Sequence, residues 1–240
     1  MLKRKSKNII SFTCDPEWEG VYPKPIPAIK GMPEYFKNMG QFMDPHDPQS
    51  SSVKRCMPFI DALSAGYILP LWADLNVRAF GADFTAEFPK HMPMNSSISG
   101  HPREQIGEHP FTDNPLSASA TKLHSPWVIT TPKGWSCYFV PCLNHMERRF
   151  QPVAASVDTD TYYNEINFPF IWTGGEGNFV IKRGTPFIQV IPYRREKLPL
   201  EIGITDTKKR DGVYKRLGTY LHGAYRANYW HKRKSGAEDF

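Results

Sequence analysis

No apolar run in this chain approaches the roughly 20 residues that a membrane-spanning helix needs, so the sequence reads as that of a soluble protein with no membrane partner. The first stretch, MLKRKSKNIISFTCDPEW, is basic, but its apolar part IISF is far too short for a secretory signal, and a cytoplasmic setting is expected. Cysteine is scarce. Cys14, Cys56, Cys137 and Cys142 contain no CxxC and no paired ligand spacing, which argues against a cysteine-built zinc site. Cys137 and Cys142 stand close enough to be bridged, yet buried free thiols in strands are the expectation for a reducing compartment. A phosphate-binding G-x-x-x-x-G-K loop, a G-x-S-x-G nucleophile elbow and a dinucleotide-binding glycine fingerprint are all missing. TGGEGN (173–178) is glycine-rich, but it lies between two strand-like runs and reads as a hairpin loop, not a phosphate cradle.

What the chain has in quantity is proline, 22 residues, together with 13% aromatics, a mixture that favours a loop-rich β protein over a helical bundle. Three regions follow from its texture. Residues 1–52 read as an extended arm, because Pro16, Pro23, Pro25, Pro27 and Pro33 are too dense for a helix or a central strand. Trp18, Tyr22, Tyr35 and Phe36 are too many for a loose linker, so the arm is expected to lie on a surface. Residues 53–206 read as one β domain. Strand-like runs are expected in CMPFIDALSAGYILPLWADLNVRAF around a turn at Gly66, and again in WVITTP, WSCYFVP, PVAASV, INFPFIW, NFVIK and TPFIQVIPY. Between them, residues 90–125 are polar and aperiodic and read as a functional or interface loop enclosing at most a short strand. Residues 207–240 read as a basic helical tail in which Tyr214, Leu217, Leu221, Ala224 and Tyr225 share one face and Lys215, Arg216, His222 and Arg226 fall mostly opposite, with Gly218 and Gly223 weakening the helix.

The net charge of +6 is moderate and gathers at the two ends. Interleaved aromatic and basic residues in YRANYWHKRK suit single-stranded nucleic acid, and equally a tail that packs its rings on a neighbouring subunit and solvates its charges. The second reading is the simpler one. His91, His101, Glu104, Glu108 and His109 could collect a metal, but their spacing fits no standard zinc pattern and a polar surface loop is preferred. His145 and Glu147 have the His-x-carboxylate spacing of some iron oxygenases, which would need a third ligand such as His222; the following Arg148 and Arg149 suit a charged turn better. No metal site is expected.

Four stretches matter for their order. Ser64–Leu69 (SAGYIL), Pro132–Asn144 (PKGWSCYFVPCLN), Val157–Ile166 (VDTDTYYNEI) and Arg183–Pro192 (RGTPFIQVIP) resemble, in sequence order and rough spacing, the first four motifs of the dUTPase family. The resemblance covers about residues 55–193. The chain is also similar to a family of phage-encoded proteins, of no assigned activity, that carries signatures like VKRCMPFIDAL and VDTD followed by INFPF. The resemblance implies a mostly β, jelly-roll-like sandwich that assembles as a homotrimer, preceded by the extended arm and followed by the C-terminal helix. It implies a setting in a host cytoplasm or in a virion.

Carried over residue by residue, the family pattern places Asp158 as the water-orienting carboxylate, Tyr162 or Tyr163 as the sugar-stacking ring and Gln189 as the fourth-motif glutamine. It also breaks. The acid expected after Ala-Gly-Tyr is Ile68, the phosphate-clamping Arg-Ser-Gly is Cys142-Leu143-Asn144, and a basic helix stands where a glycine-rich flap should close. These losses remove the charge that a triphosphate needs. The expectation is therefore a non-enzymatic assembly or interaction protein on a degenerate trimeric scaffold, partnered by its own copies and by other virion proteins or a host protein, with nucleic acid a further partner for the basic tail. Trp18, Tyr22, Tyr225 and Trp230 are its expected interface residues. The alternative is a divergent nucleotide-binding or deoxynucleoside triphosphate-hydrolysing enzyme using Asp158, Tyr162, Tyr163 and Gln189 with magnesium, its phosphate donors drawn from Lys182, Arg183 or Arg194 of a neighbour.

Overall fold

A computed structural model of the protein describes residues 9–47, 49–81, 83–89, 98–102, 105, 119–219 and 223–232. Most of the loop 90–125, with His91, Glu104, Glu108 and His109, lies outside the described residues, as do the first eight residues, Leu221, His222 and the last eight. The fold is mostly β, in three antiparallel sheets. The first contains β1 (Ser11–Thr13), β7 (Ser119–Thr130), β11 (Glu165–Trp172) and β9 (Phe150–Pro152) in that order, with β6 (Ile98–Pro102) also on β7. The second runs β10 (Ala155–Val157), β8 (Trp135–Pro141), β13 (Pro186–Arg194), β3 (Tyr67–Pro70), β2 (Ile26–Pro27). A third, of three strands, is β12 (Gly177–Ile181), β4 (Leu75–Phe80), β5 (Asp83–Glu87).

One core joins all three sheets. Strict alternation in LNVRAF puts Leu75, Val77 and Ala79 of β4 inside and Asn76, Arg78 and Phe80 outside, the pattern of a sheet with one wet face. Phe187 of β13 is the hub. Its ring meets Phe150, Phe168 and Phe170 of the first sheet and Trp72 beyond β3, at centroid distances of 5.5, 6.3, 6.2 and 6.1 Å. Such tilted and edge-on pairs add to the burial of large rings. Pro126 sits inside the long β7 at little cost, because the β7–β11 register shifts there and neither β6 nor β1 pairs with that position. Gly66 is indispensable to the second sheet: its φ is +65° and a Cβ would lie 2.0 Å from the carbonyl oxygen of Val190.

Several expected elements take a different form. CMPFIDAL is not strand-like. Met57–Leu63 forms a helix (α2) with Pro58 in its first turn, where the missing N–H costs nothing. TGGEGN is not a hairpin loop either, since β11 and β12 belong to different sheets and the segment crosses between them. The proline-rich arm is built into the β fold: Ser11–Thr13 extends one sheet, Ile26–Pro27 the other, and a short helix α1 (Glu34–Asn38) follows. The tail helix starts at Thr207 and breaks sooner than its periodicity suggests. Asp206 caps α3 (Thr207–Gly218) by accepting from the Lys209 N–H at 3.1 Å, and Gly223, at φ +70°, starts a separate turn of helix, α4 (Ala224–Asn228). All four cysteines are free, but only Cys137 is a buried strand thiol, and Cys56 is exposed. Among the described residues no helix is long and apolar enough to cross a membrane.

Candidate functional site

The residues with the most chemistry converge where β10, β8 and β13 end. Beyond Val157 the chain turns so tightly that the Asp158 carbonyl accepts from the N–H groups of both Thr161 and Tyr162, at 3.1 and 2.9 Å. Alternation sends Thr159 inward, where it is buried against Thr131 (Oγ1 to Oγ1, 2.7 Å), and leaves the carboxylates on either side of it facing Arg195. That guanidinium donates to both oxygens of Asp160, through Nη1 at 2.7 Å and through Nη2, and to Ser136 Oγ at 2.9 Å; it also lies 3.2 Å from Asp158 Oδ1. Ser136 Oγ in turn donates to Asp158 Oδ1 at 2.7 Å.

The two carboxylates have different roles. The Asp160 side chain is 2% exposed, and its second oxygen also accepts from the Gly134 N–H at 2.8 Å. The bidentate Arg195 contact first, then the Gly134 N–H, hold its acid down to about 2. Asp160 is thus a fixed anion that positions Arg195. The Asp158 side chain is 62% exposed and keeps an open side toward solvent. Tyr162 and Tyr163 stand exposed in the same turn, with the Asn164 amide donating to Tyr162 Oη at 3.1 Å. Beside them Tyr138 and Tyr193 stack at 4.3 Å, and Tyr193 Oη pairs with Ser156 Oγ at 2.7 Å. The end of the sheet therefore presents the Arg195 guanidinium, the available Asp158 carboxylate and several rings.

Gln189 is elsewhere. Five residues back along β13, at about 3.3 Å per residue, it lies roughly 16 Å from the Arg194 position and is fully buried. Its Nε2 donates to the carbonyls of Ala62 and Ala65 at 3.0 and 2.7 Å, and its Oε1 accepts from the Leu143 N–H at 2.8 Å. One amide thereby ties the end of α2 and the loop after β8 to the middle strand of the sheet. The loop it holds is the place where the family resemblance expects a phosphate clamp. Asn144 and Met146 both take positive φ there, 58° and 60°, and the Asn144 carbonyl accepts from Tyr35 Oη of the arm.

The other expected residues scatter. Lys182 Nζ is paired with Asp74 at 2.9 Å, the Arg183 N–H with the same carboxylate at 2.7 Å, and Arg194 with Glu196 at 3.0 Å. Tyr22 is buried in the core of its own chain with Trp18 tilted on it at 5.9 Å, which corrects its expected place at a subunit interface. Trp230 Nε1 donates to the Asp61 carboxylate of α2 at 3.1–3.2 Å, and Tyr225 is exposed. His145 and Glu147 share no site. Burial lowers the affinity of His145 for a proton. Glu147, which burial alone would make harder to ionise, is held ionised by Arg149 and by the N–H groups of Arg148 and Arg149. Among the described residues no group of three or more His, Cys, Asp or Glu side chains converges, and both oxygens of Asp160 are already taken, so this donor set fits magnesium poorly.

Sequence reading missed Arg195, Ser136 and Asp160. Arg195 and Asp160 are 35 positions apart, and only the antiparallel pairing of β8 with β10 and β13 brings them together. No local signal in the sequence could have pointed to them, because Arg195 and Asp160 follow the ends of different strands and Ser136 is a buried position of β8.

No protein-family model matches this chain, and no curated protein matches it. Among solved structures it is similar to a variant dUTPase from phage phi11 of S. aureus, described as coordinating a structural Mg(II) ion. The two share 7% identity at a TM-score of 0.34, over 59% of this chain and 84% of that one.

Proposed function

We propose that this protein is a non-enzymatic assembly or interaction protein, a virion component or a binder of a host factor, built on a self-associating, dUTPase-like β scaffold whose chemistry has been lost. The fate of Gln189 carries the reading. A glutamine that served a nucleotide would keep its amide accessible, whereas here all three of its hydrogen bonds close onto the chain's own backbone. Asp160 and Arg195 point the same way, each answering the other. The four resembling stretches fall at β3, β8, the β10–β11 turn and β13.

A second reading has one observation in its favour. Asp158 is open to solvent beside a cation and two exposed tyrosines, an arrangement able to meet a phosphorylated sugar. Thermal unfolding with and without each deoxynucleoside triphosphate plus magnesium separates the two. A bound ligand at a hundred times its dissociation constant adds about 2.7 kcal/mol of stability. No shift with any nucleotide is the expected result, and a shift abolished by Asp158→Asn would establish the enzyme-like reading instead.

A further inference from the structure

Helix α3 carries the basic residues Lys208, Lys209, Arg210, Lys215 and Arg216 against a single acid, Asp211. At about 3.6 residues per turn, positions seven apart nearly coincide around the axis. Lys208 therefore stands in line with Lys215, and Lys209 with Arg216, so that these cations form one stripe. All of them are exposed, and among the described residues no carboxylate pairs with any of them. The neighbouring acids are engaged elsewhere. Asp211 contacts Arg210 at 3.3 Å, and Asp206 accepts from the Lys209 N–H at the start of the helix. Val213 and Leu217, the two half-buried positions, lie outside the stripe, and Tyr214 lies opposite it.

Gly212 occupies the centre of the stripe, three or four residues from every cation in it. Glycine is unfavourable in the middle of a helix. Packing within the chain does not require it, since an added Cβ would meet no atom within 4 Å. Its effect is a bare floor between two pairs of cations, where an anionic backbone can approach closely. The pairs stand about 10 Å apart along the axis, and the major groove of B-DNA is about 12 Å wide. Each pair can thus meet one rim of phosphates. Other anions fit less well. Single strands are held by rings interleaved with cations, and the stripe contains no ring. The major groove of an RNA duplex is too deep and narrow for side chains to enter. A membrane surface takes up an apolar helix face, and that of α3 is the half-buried one. In YRANYWHKRK, where the sequence suggested nucleic acid, the Trp230 indole is occupied by Asp61.

We propose that α3 binds the phosphate backbone of double-stranded DNA through Lys208, Lys209, Lys215 and Arg216, without reading its sequence. The contact goes beyond the assembly role and does not depend on self-association. Fluorescence anisotropy of a labelled mixed-sequence duplex, titrated with the full-length protein at several salt concentrations, tests it. Each phosphate neutralised contributes about 0.9 to the fall of log K with log salt, so the stripe should supply about 3–4 of the slope, roughly a hundredfold in affinity between 50 and 200 mM. Lys208→Gln/Lys209→Gln/Lys215→Gln/Arg216→Gln keeps good helix formers. It should lose that share of the slope and bind at least about tenfold more weakly at low salt. The same change at exposed lysines elsewhere, Lys24, Lys30, Lys133 and Lys197, should alter the slope by less than about 1. If the stripe variant changes the circular-dichroism spectrum, Lys215→Gln/Arg216→Gln replaces it, with about half the effect. Single-stranded DNA and an RNA duplex of equal length serve as competitors and should compete less well than duplex DNA. Absence of DNA binding by the wild type overturns the proposal, as does an unchanged slope in the folded stripe variant. An equal loss from the control lysines, or better competition by the single strand or the RNA duplex, overturns it too.

Discussion

The two ends of the chain are made of similar material and come to lie in opposite places. The N-terminal arm and the C-terminal segment are both rich in rings and aliphatic side chains. In the arm, Tyr22, Ala28 and Phe36 are buried, and the backbone joins both large sheets through β1 and β2. Residues 196–212 are exposed throughout, and α3 has no buried residue. Backbone pairing makes the difference, not composition. The arm's prolines stand at sheet edges and in short turns, where a missing N–H is harmless, so it finds partners within its own chain. Residues 197–205 make no backbone hydrogen bond among the described residues.

Truncating the arm's buried ring breaks this contrast most severely. Tyr22→Ala empties a ring-sized space in the common core and should cost about 3–5 kcal/mol, read as a lower urea midpoint at unchanged slope. Lys209→Ala in α3 should stay within about 0.5 kcal/mol of the wild type. If both changes cost the same, the two ends are not the opposites that their burial indicates.

Gln189→Leu comes next. It keeps the volume but leaves the Leu143 N–H and the carbonyls of Ala62 and Ala65 without their partner. An unsatisfied buried group costs about 1–3 kcal/mol, and water will reach some of these three, so a loss of about 2–4 kcal/mol is expected. The loop after β8 should show faster amide exchange. A neutral result would mean that the amide is not the tie, and would reopen a ligand-binding role for it.

These positions also mark what the sequence disclosed. The strands from WSCYFVP to TPFIQVIPY were legible because alternation and punctuation by Gly and Pro are local signals. Gly66 was legible as a turn, though not the reason for it, the approach of the Val190 carbonyl across the sheet. Helix α2 was taken for a strand because CMPFIDAL is too short to display a period, although Pro58 stands where a helix start signal belongs. β1 and β2 stayed hidden because two- and three-residue edge strands are stabilised by the neighbour they join, which no window of the arm contains. The candidate site was half visible. Asp158, Tyr162 and Tyr163 stand in one turn, whereas Arg195 is brought to them by sheet register alone.

Acid tests the buried carboxylate of that turn. The Asp160 acid is held at about 2, below its ordinary 3.8. A folded-state value lower than the unfolded one stabilises the protein above the unfolded value, and that contribution is lost as pH falls through the window from about 4 to 2. Urea midpoints measured across that window should fall for the wild type, and should fall less steeply for Asp160→Asn, which lacks the contribution throughout. A wild-type slope in Asp160→Asn would show that Arg195 is not answering Asp160.

Trp230→Phe tests how the tail returns to the body. It removes the N–H that donates to the Asp61 carboxylate, at about 1.5–3 kcal/mol for a bond to a charged group. Because the tail adds little to the common core, the loss should appear as faster amide exchange in α4 and not as a shift in global unfolding.

The smallest effect is the most discriminating for the arm. The Tyr22 hydroxyl is buried and has no hydrogen-bond partner among the described residues, and burial raises its pKa above the ordinary phenol value. A polar group enclosed without a partner opposes folding, so removing the oxygen while keeping the ring should not destabilise the protein. Tyr22→Phe is expected to be neutral or to gain up to about 1 kcal/mol in urea unfolding. A loss larger than that would mean the oxygen serves a bridging water or an acceptor contributed by another molecule, and the arm would then be part of an interface after all.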